Sequence, residues 1–167
     1  MGYLAGAMVL LLARPTLIST VLGLLFAILG EALRVWASGH IEKTRRLATG
    51  GPYAHTRNPL YLGSVLMAVG VIVAAASVWI VPVAAAYLLA FYPRAIREEA
   101  AFLGQKFPEE YRTWAAQVPL FLPGLRPRGP RQSAFEWSRV RANREWRTAL
   151  ALPLLVLVLY ARVRWLP

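Results

Sequence analysis

Leu17-Ile-Ser-Thr-Val-Leu-Gly-Leu-Leu-Phe-Ala-Ile-Leu-Gly-Glu-Ala-Leu-Arg-Val-Trp-Ala37 contains only two charges, Glu31 and Arg34, both toward its end. A helix that crosses a bilayer needs about 20 mostly apolar residues. This stretch therefore predicts a membrane span, and the rest of the chain reads outward from it. Downstream, Leu60–Ala76 and Val78–Tyr92 predict two more spans. Leu150–Leu166 predicts a fourth, in which Arg162 and Arg164 snorkel toward the interface. Upstream, Tyr3–Ala13 is apolar but short: as helix it rises only about 17 Å, roughly half the hydrocarbon core. It is a candidate fifth helix, short or tilted, with Arg14-Pro15 making the turn. Glu31 and Arg34, about one turn apart, predict a pair near the membrane edge.

Composition agrees with this reading. Hydrophobic residues make up 57% of the 167-residue chain and charged residues 16%, against about 25% charged in a soluble domain. The charges crowd into Gly39–Arg57 and Arg94–Arg147. A net charge of +11 is in principle a nucleic-acid signature. Basic segments that alternate with membrane-length apolar runs fit anionic lipid headgroups instead, so a bilayer and no nucleic acid is the expected partner. Cysteine and aspartate are both absent, and there are two histidines. Disulfides and thiolate chemistry are excluded, and no metal site is expected. No signal peptide is expected either: the amino terminus lacks a basic leader, and its apolar stretch ends in Arg14-Pro15 rather than at a small-residue cleavage site.

Fifteen of the nineteen lysines and arginines fall in the two charged regions. The positive-inside rule places both regions on the cytoplasmic side, where they can share one site. The near-absence of a loop at Ala75–Ser77 predicts an antiparallel helix hairpin, and Pro82 and Pro93 predict kinks or breaks in its second helix. Beyond it, Glu98–Ala116 reads as a helix continuing into water and Val118–Pro130 as a Pro/Gly-rich loop. Ser133–Arg147 reads as an amphipathic helix capped by Ser133. Its Phe135, Trp137 and Trp146 among arginines suit either the membrane interface or an aromatic docking face. The expected fold is an all-α polytopic membrane protein of four to five spans. Residues 1–125 would form the core, and residues 126–167 an extension with an interfacial helix and the last span.

Leu47-Ala-Thr-Gly-Gly-Pro-Tyr-Ala-His-Thr-Arg-Asn-Pro-Leu-Tyr61 is a polar turn that enters a membrane helix. Gly50, Gly51 and Pro52 predict a tight backbone with exposed amides. Asn58-Pro59 predicts a helix start, with Asn as cap and Pro in first position. Free amides at a helix start favour an anionic or carbonyl-bearing ligand group, and Tyr53 and Tyr61 add aromatic faces and hydroxyls. On these residues alone, a ligand-binding loop and a well-capped loop with an interfacial tyrosine belt both stand.

The string Thr-Gly-Gly-Pro-Tyr-x-x-x-Arg-Asn-Pro-x-Tyr-x-Gly resembles the signature of the isoprenylcysteine carboxyl methyltransferases and their phospholipid N-methyltransferase relatives. A second block, Arg94-x-x-Arg-Glu-Glu-Ala-Ala-Phe-Leu103, then Phe107-Pro-Glu-Glu-Tyr111 and Val118-Pro119, looks like that family's carboxy-terminal pattern. Glu31-Ala-Leu-Arg-Val-Trp-Ala-Ser-Gly-His40 is also typical, so the resemblance covers roughly Gly30–Pro123.

The resemblance implies S-adenosylmethionine as cofactor and methyl transfer to a lipophilic acceptor. Tyr53, Asn58, Pro59 and Tyr61 match the cofactor-contacting motif. Leu47, Ala48 and Thr49 match the segment before it, and His40 matches a frequent polar cofactor contact. Glu99 matches the cofactor-binding glutamate, with Glu98 sharing the task, and Arg94 or Arg97 would hold an acidic group of the acceptor. Asn58 stands where the carboxyl methyltransferases usually have His, and Pro108 replaces a usual Gly, which leaves the acceptor open. A carboxylate acceptor needs no general base. An amine would need deprotonation, for which His40 or His55 is available. Glu98 and Glu99 alternatively only bridge to Arg94 and Arg97 at helical spacing. Two other classes share these features: an NADPH-dependent membrane reductase of the sterol reductase type, and a non-catalytic lipid-binding scaffold.

Overall fold

The computed structural model describes residues 11–42, 45–130 and 133–151, together with 158 and 161. Most of Tyr3–Ala13 and of Leu150–Leu166 lies outside the described residues. Among the described residues there is no strand. The helices are α1 (Leu17–Ser38), a 3-10 turn (Gly51–Ala54), α2 (Pro59–Ala75), α3 (Ile80–Lys106), α4 (Pro108–Gln117) and α5 (Trp137–Ala142). α1 and α3 are long and apolar enough to cross a membrane, while α2 is apolar but has only 17 residues. In α3 the apolar part gives way at Arg94, so Glu98 and Glu99 lie beyond it.

Local chemistry explains the boundaries. α1 opens on a reciprocal cap: the Thr16 amide donates to Ser19 Oγ at 2.9 Å and the Ser19 amide to Thr16 Oγ1 at 3.1 Å. Pro82 falls in the first turn of α3, where no amide donor is required, and the helix runs on through Pro93 without a break. The break comes at Pro108 instead. It forces Phe107 out of helical geometry (φ −130°, ψ 61°), so the single helix expected over Glu98–Ala116 is divided between α3 and α4. The helix expected from Ser133 begins only at Trp137 and stops at Ala142; Asn143–Glu145 form a turn in which Arg144 takes φ +58°. The Ser133 hydroxyl accepts the Gly50 amide at 3.0 Å rather than capping a helix.

The chain divides into two compact units. The first comprises residues 1–31, 64–91 and 147–167. Within it, a Cβ at Gly23 would fall on the Gly70 carbonyl and Ala74, so these stretches of α1 and α2 meet at backbone contact. The Arg14 amide donates to Ala75 O at 2.8 Å and the Ser19 hydroxyl to Ala74 O at 3.1 Å. The hairpin expected at Ala75–Ser77 is present, turning through Ala76 at φ +48°.

The second unit comprises residues 32–63 and 92–146. Its core joins Ala37, Leu47, Tyr53, Trp114 and Val118. Arg34 pairs with Glu145 at 2.6 Å, with side chains 18% and 7% exposed. Asn143 Nδ2 donates to Ser38 O and Ile41 O at 2.9 and 3.1 Å, closing the end of α1.

Candidate active site

The motif loop is held from within. Gly51 takes φ +56° with the His40 ring packed where a Cβ would be. The Tyr53 amide donates to Gly50 O, and the His55 and Thr56 amides to Pro52 O, each at 3.1 Å. The Arg57 amide donates to Pro119 O at 2.9 Å, and the Asn58 amide to Thr56 Oγ1 at 3.3 Å. These loop amides are taken up by the protein itself, because the unpaired backbone of a tight buried turn must find partners; of the glycine amides expected to be exposed, that of Gly50 goes to Ser133 Oγ.

Several of those partners come from the Val118–Pro130 loop. Asn58 Nδ2 donates to Leu120 O at 2.8 Å and the Thr56 hydroxyl to Phe121 O at 2.8 Å. The Gly124 amide donates to His55 O at 2.8 Å, and the Arg128 amide to Ala54 O at 2.7 Å. His55 Nδ1 lies 2.8 Å from Gly124 O and His40 Nδ1 2.9 Å from Trp36 O. A carbonyl only accepts, so each Nδ1 carries a proton.

Beside this loop lies a cavity of about 320 Å³ with a mostly apolar wall, at the lower end of the volumes typical of small-molecule sites. The segment before the motif contributes Glu42, Arg46, Leu47 and Ala48, and the motif contributes Tyr53, Arg57 and Asn58. α3 adds Glu99 and Leu103; Phe107 closes the break, and α4 adds Tyr111 and Trp114. Trp114 is fully enclosed, donates from Nε1 to Tyr53 O at 3.0 Å and meets Tyr111 edge-on at 5.8 Å.

The charges in this wall are unequally satisfied. Partial burial pushes the Glu99 carboxyl above the usual carboxylate range, and a hydrogen bond from the Tyr61 hydroxyl opposes that rise. The Tyr61 ring is itself set edge-on against Tyr92 at 5.2 Å. Burial first, then the fields of Glu99 and Glu145, raise the Tyr53 hydroxyl far above its ordinary value, with Arg34 opposing, so Tyr53 stays neutral. Glu42 is engaged by Arg139 at 3.3 Å and Arg45 at 3.6 Å. The Arg57 Nε is sealed from solvent and has no hydrogen-bond partner. Among the described residues, no three of His, Cys, Asp or Glu converge as metal ligands.

Of the residues singled out in the sequence, Leu47, Ala48, Tyr53, Asn58 and Glu99 line the cavity, and Tyr61 reaches it through Glu99. Pro59 is buried at the start of α2. His40 and Thr49 are buried but outside the wall, Thr49 beside Glu109, Glu110 and Thr113. Arg94 and Glu98 pair with each other at 2.7 Å on an exposed face, as their helical spacing allowed, and Arg97 is exposed and outside the wall. Sequence reasoning passed over Arg46, Arg57, Tyr111 and Trp114. Arg57 stood inside the quoted motif, and the two aromatics stood three residues apart on a helix; those were the available signals.

The phospholipid methyltransferase family model matches residues 18–110. The chain belongs to this family. The resemblance carried by the two motif blocks is thereby borne out. Among curated proteins, the chain is 35% identical over 106 residues to the cobalt-zinc-cadmium resistance protein CzcN of Cupriavidus metallidurans, covering 62% of this chain and 49% of that protein. It is 31% identical over 105 residues to the nickel-cobalt-cadmium resistance protein NccN of Alcaligenes xylosoxydans xylosoxydans, with the same two coverages. The chain thus spans about half the length of the curated relatives it matches. No solved structure matches it. The phospholipid methyltransferase match covers every wall residue named above except Tyr111 and Trp114.

Proposed function

We propose that this chain is an integral membrane methyltransferase of four to five spans that uses S-adenosylmethionine to methylate a carboxylate or amine of a lipophilic acceptor. The site would face the cytoplasm, where the excess of lysine and arginine points. Residues 1–125 would supply the catalytic core and residues 126–167 a membrane-associated extension. One observation carries the reading: a single apolar cavity holds a partly desolvated carboxylate, Glu99, and a guanidinium, Arg57, whose Nε lacks a partner. That donor set fits a small zwitterionic cation with an aromatic base. S-adenosylmethionine, when bound, supplies a methyl group on a positively charged sulfur that departs as a neutral thioether.

The chain's own residues would do the rest. Glu99 attracts the cationic part of the ligand, and Tyr61 fixes the carboxylate that does so. Tyr111 and Trp114 offer an aromatic face for a flat ring. Asn58 and Thr56, through the 118–130 loop, keep the motif loop in shape, while Leu47, Ala48 and Leu103 exclude water. Alignment and desolvation of this kind supply much of the rate in a displacement that needs no covalent catalysis. The metal resistance printed in the relatives' names would, for this chain, act through a modified membrane component.

Calorimetry on the protein in neutral detergent tests the reading: S-adenosylmethionine and its demethylated product should both bind, and labelled donor should transfer methyl into a lipid extract. No heat with either compound would sink it. A thermal shift with NADPH and none with S-adenosylmethionine would favour the reductase class.

A further inference from the structure

We propose that Arg57, supported by Arg46, is the oxyanion seat of this cavity and takes a carboxylate or phosphate group. The assignment deepens the methyltransferase reading and rests on it for the nature of the ligand. Three observations carry it. The Arg57 Nε is enclosed without a hydrogen-bond partner, and a guanidinium cannot shed its proton to relieve that cost. All acidic side chains of the chain are glutamates, and all of them lie among the described residues. The two in the cavity wall are directed elsewhere, Glu42 to Arg139 and Arg45, and Glu99 to Tyr61. Among the described residues, therefore, neither carboxylate of the wall is paired with Arg57 or Arg46. Finally, Arg57 is held at its backbone by Pro119 O and followed by Asn58, whose side chain is fixed to Leu120 O. The guanidinium thus projects from an anchored point.

A guanidinium fork in an apolar wall suits a planar carboxylate or a phosphate through two parallel hydrogen bonds. Arg94 and Arg97, by contrast, stand exposed outside that wall. The oxyanion has two sources: the amino-acid carboxylate of the methyl donor, or an acidic headgroup of the acceptor.

Arg57→Gln, Arg57→Lys and the exposed control Arg112→Gln would be titrated in neutral maltoside detergent with S-adenosylmethionine, decarboxylated S-adenosylmethionine and dodecyl phosphate. Arg57→Gln should weaken an oxyanion-bearing probe at least tenfold, Arg57→Lys should weaken it less, and the control should match the parent. If the donor's carboxylate is seated, S-adenosylmethionine is weakened and the decarboxylated form is not. If the acceptor's group is seated, dodecyl phosphate is weakened and both donor forms are not. The ligand-free melting temperature should not fall in Arg57→Gln, because Nε has no partner to lose. The seat is overturned if Arg57→Gln binds S-adenosylmethionine and dodecyl phosphate within twofold of the parent. It is equally overturned if the decarboxylated donor is weakened as much as the intact one, or if the parent binds none of the three. Donor binding together with dodecyl phosphate binding insensitive to Arg57 removes the seat and keeps the methyltransferase reading. Arg57-dependent binding of dodecyl phosphate without donor binding does the reverse.

Discussion

Glu99 lines the cavity with one hydrogen-bond partner, Tyr61, and surroundings that disfavour its charge. A carboxyl whose pKa is raised on folding favours the folded state while protonated. Its contribution to stability is full below the ordinary value near 4.5 and is lost as pH rises through the folded value. A cationic ligand has the opposite demand. Affinity for S-adenosylmethionine should rise with pH across that window, up to about tenfold per unit, and level off above it. Calorimetry in a pH series should show proton release on binding, and Glu99→Gln should flatten the profile while lowering affinity at neutral pH. Tyr61→Phe removes the hydrogen bond that opposes the rise, so its profile should move to higher pH. An unshifted Tyr61→Phe profile would detach Tyr61 from the site. At Gly51, any side chain meets the His40 ring with a left-handed backbone besides, so Gly51→Ala should lower the melting temperature even without ligand.

Between elements, long-range ties matter more than propensity. Glu145 approaches Arg34 from 111 positions along the chain, and both side chains are largely enclosed. Glu145→Ala would remove the largely enclosed carboxylate that Arg34 holds and should cost up to about 3–5 kcal/mol, measured by denaturant titration in detergent, with Arg34→Met/Glu145→Leu recovering much of it. Trp114→Ala should cost a similar ~3–5 kcal/mol from lost packing, with the Tyr53 carbonyl left unanswered in addition. Neither tie was legible in the sequence. Arg34 and Glu31 sat at helical spacing and advertised a local pair, whereas nothing near Glu145 marked its partner. The helix boundaries of α1 and α2 were legible because length and apolarity act locally. The division at Pro108 was overlooked because helix-forming residues flank it on both sides, although the rule against helical geometry before proline already pointed to Phe107.

For the whole molecule, the segregation of charge was readable at once and the use of the charges was not. Glu99 was legible through its motif, whereas the enclosed, partnerless Nε of Arg57 is visible only in the fold. The chain has no cysteine, so single-cysteine variants can be labelled without background. Arg45→Cys and Leu125→Cys, both at exposed positions, should react with an impermeant maleimide from the same side of sealed vesicles, the cytoplasmic one. Labelling from opposite sides would dismantle the topology on which a shared site depends.

The hydrogen bonds that clasp the motif loop to residues 119–128 also bear on how the protein is made. Asn58 waits for Leu120, 62 positions later, and at 5–20 residues per second a ribosome takes roughly 3–12 s to deliver it. Through that interval the 54–58 stretch is without the 119–128 partners that will fix its shape. Ligand-binding ability should therefore arise late and abruptly on the nascent chain. Arrested chains released after Val118–Pro130 has emerged should bind donor, whereas chains arrested before Pro119 should not, however many spans they have already inserted.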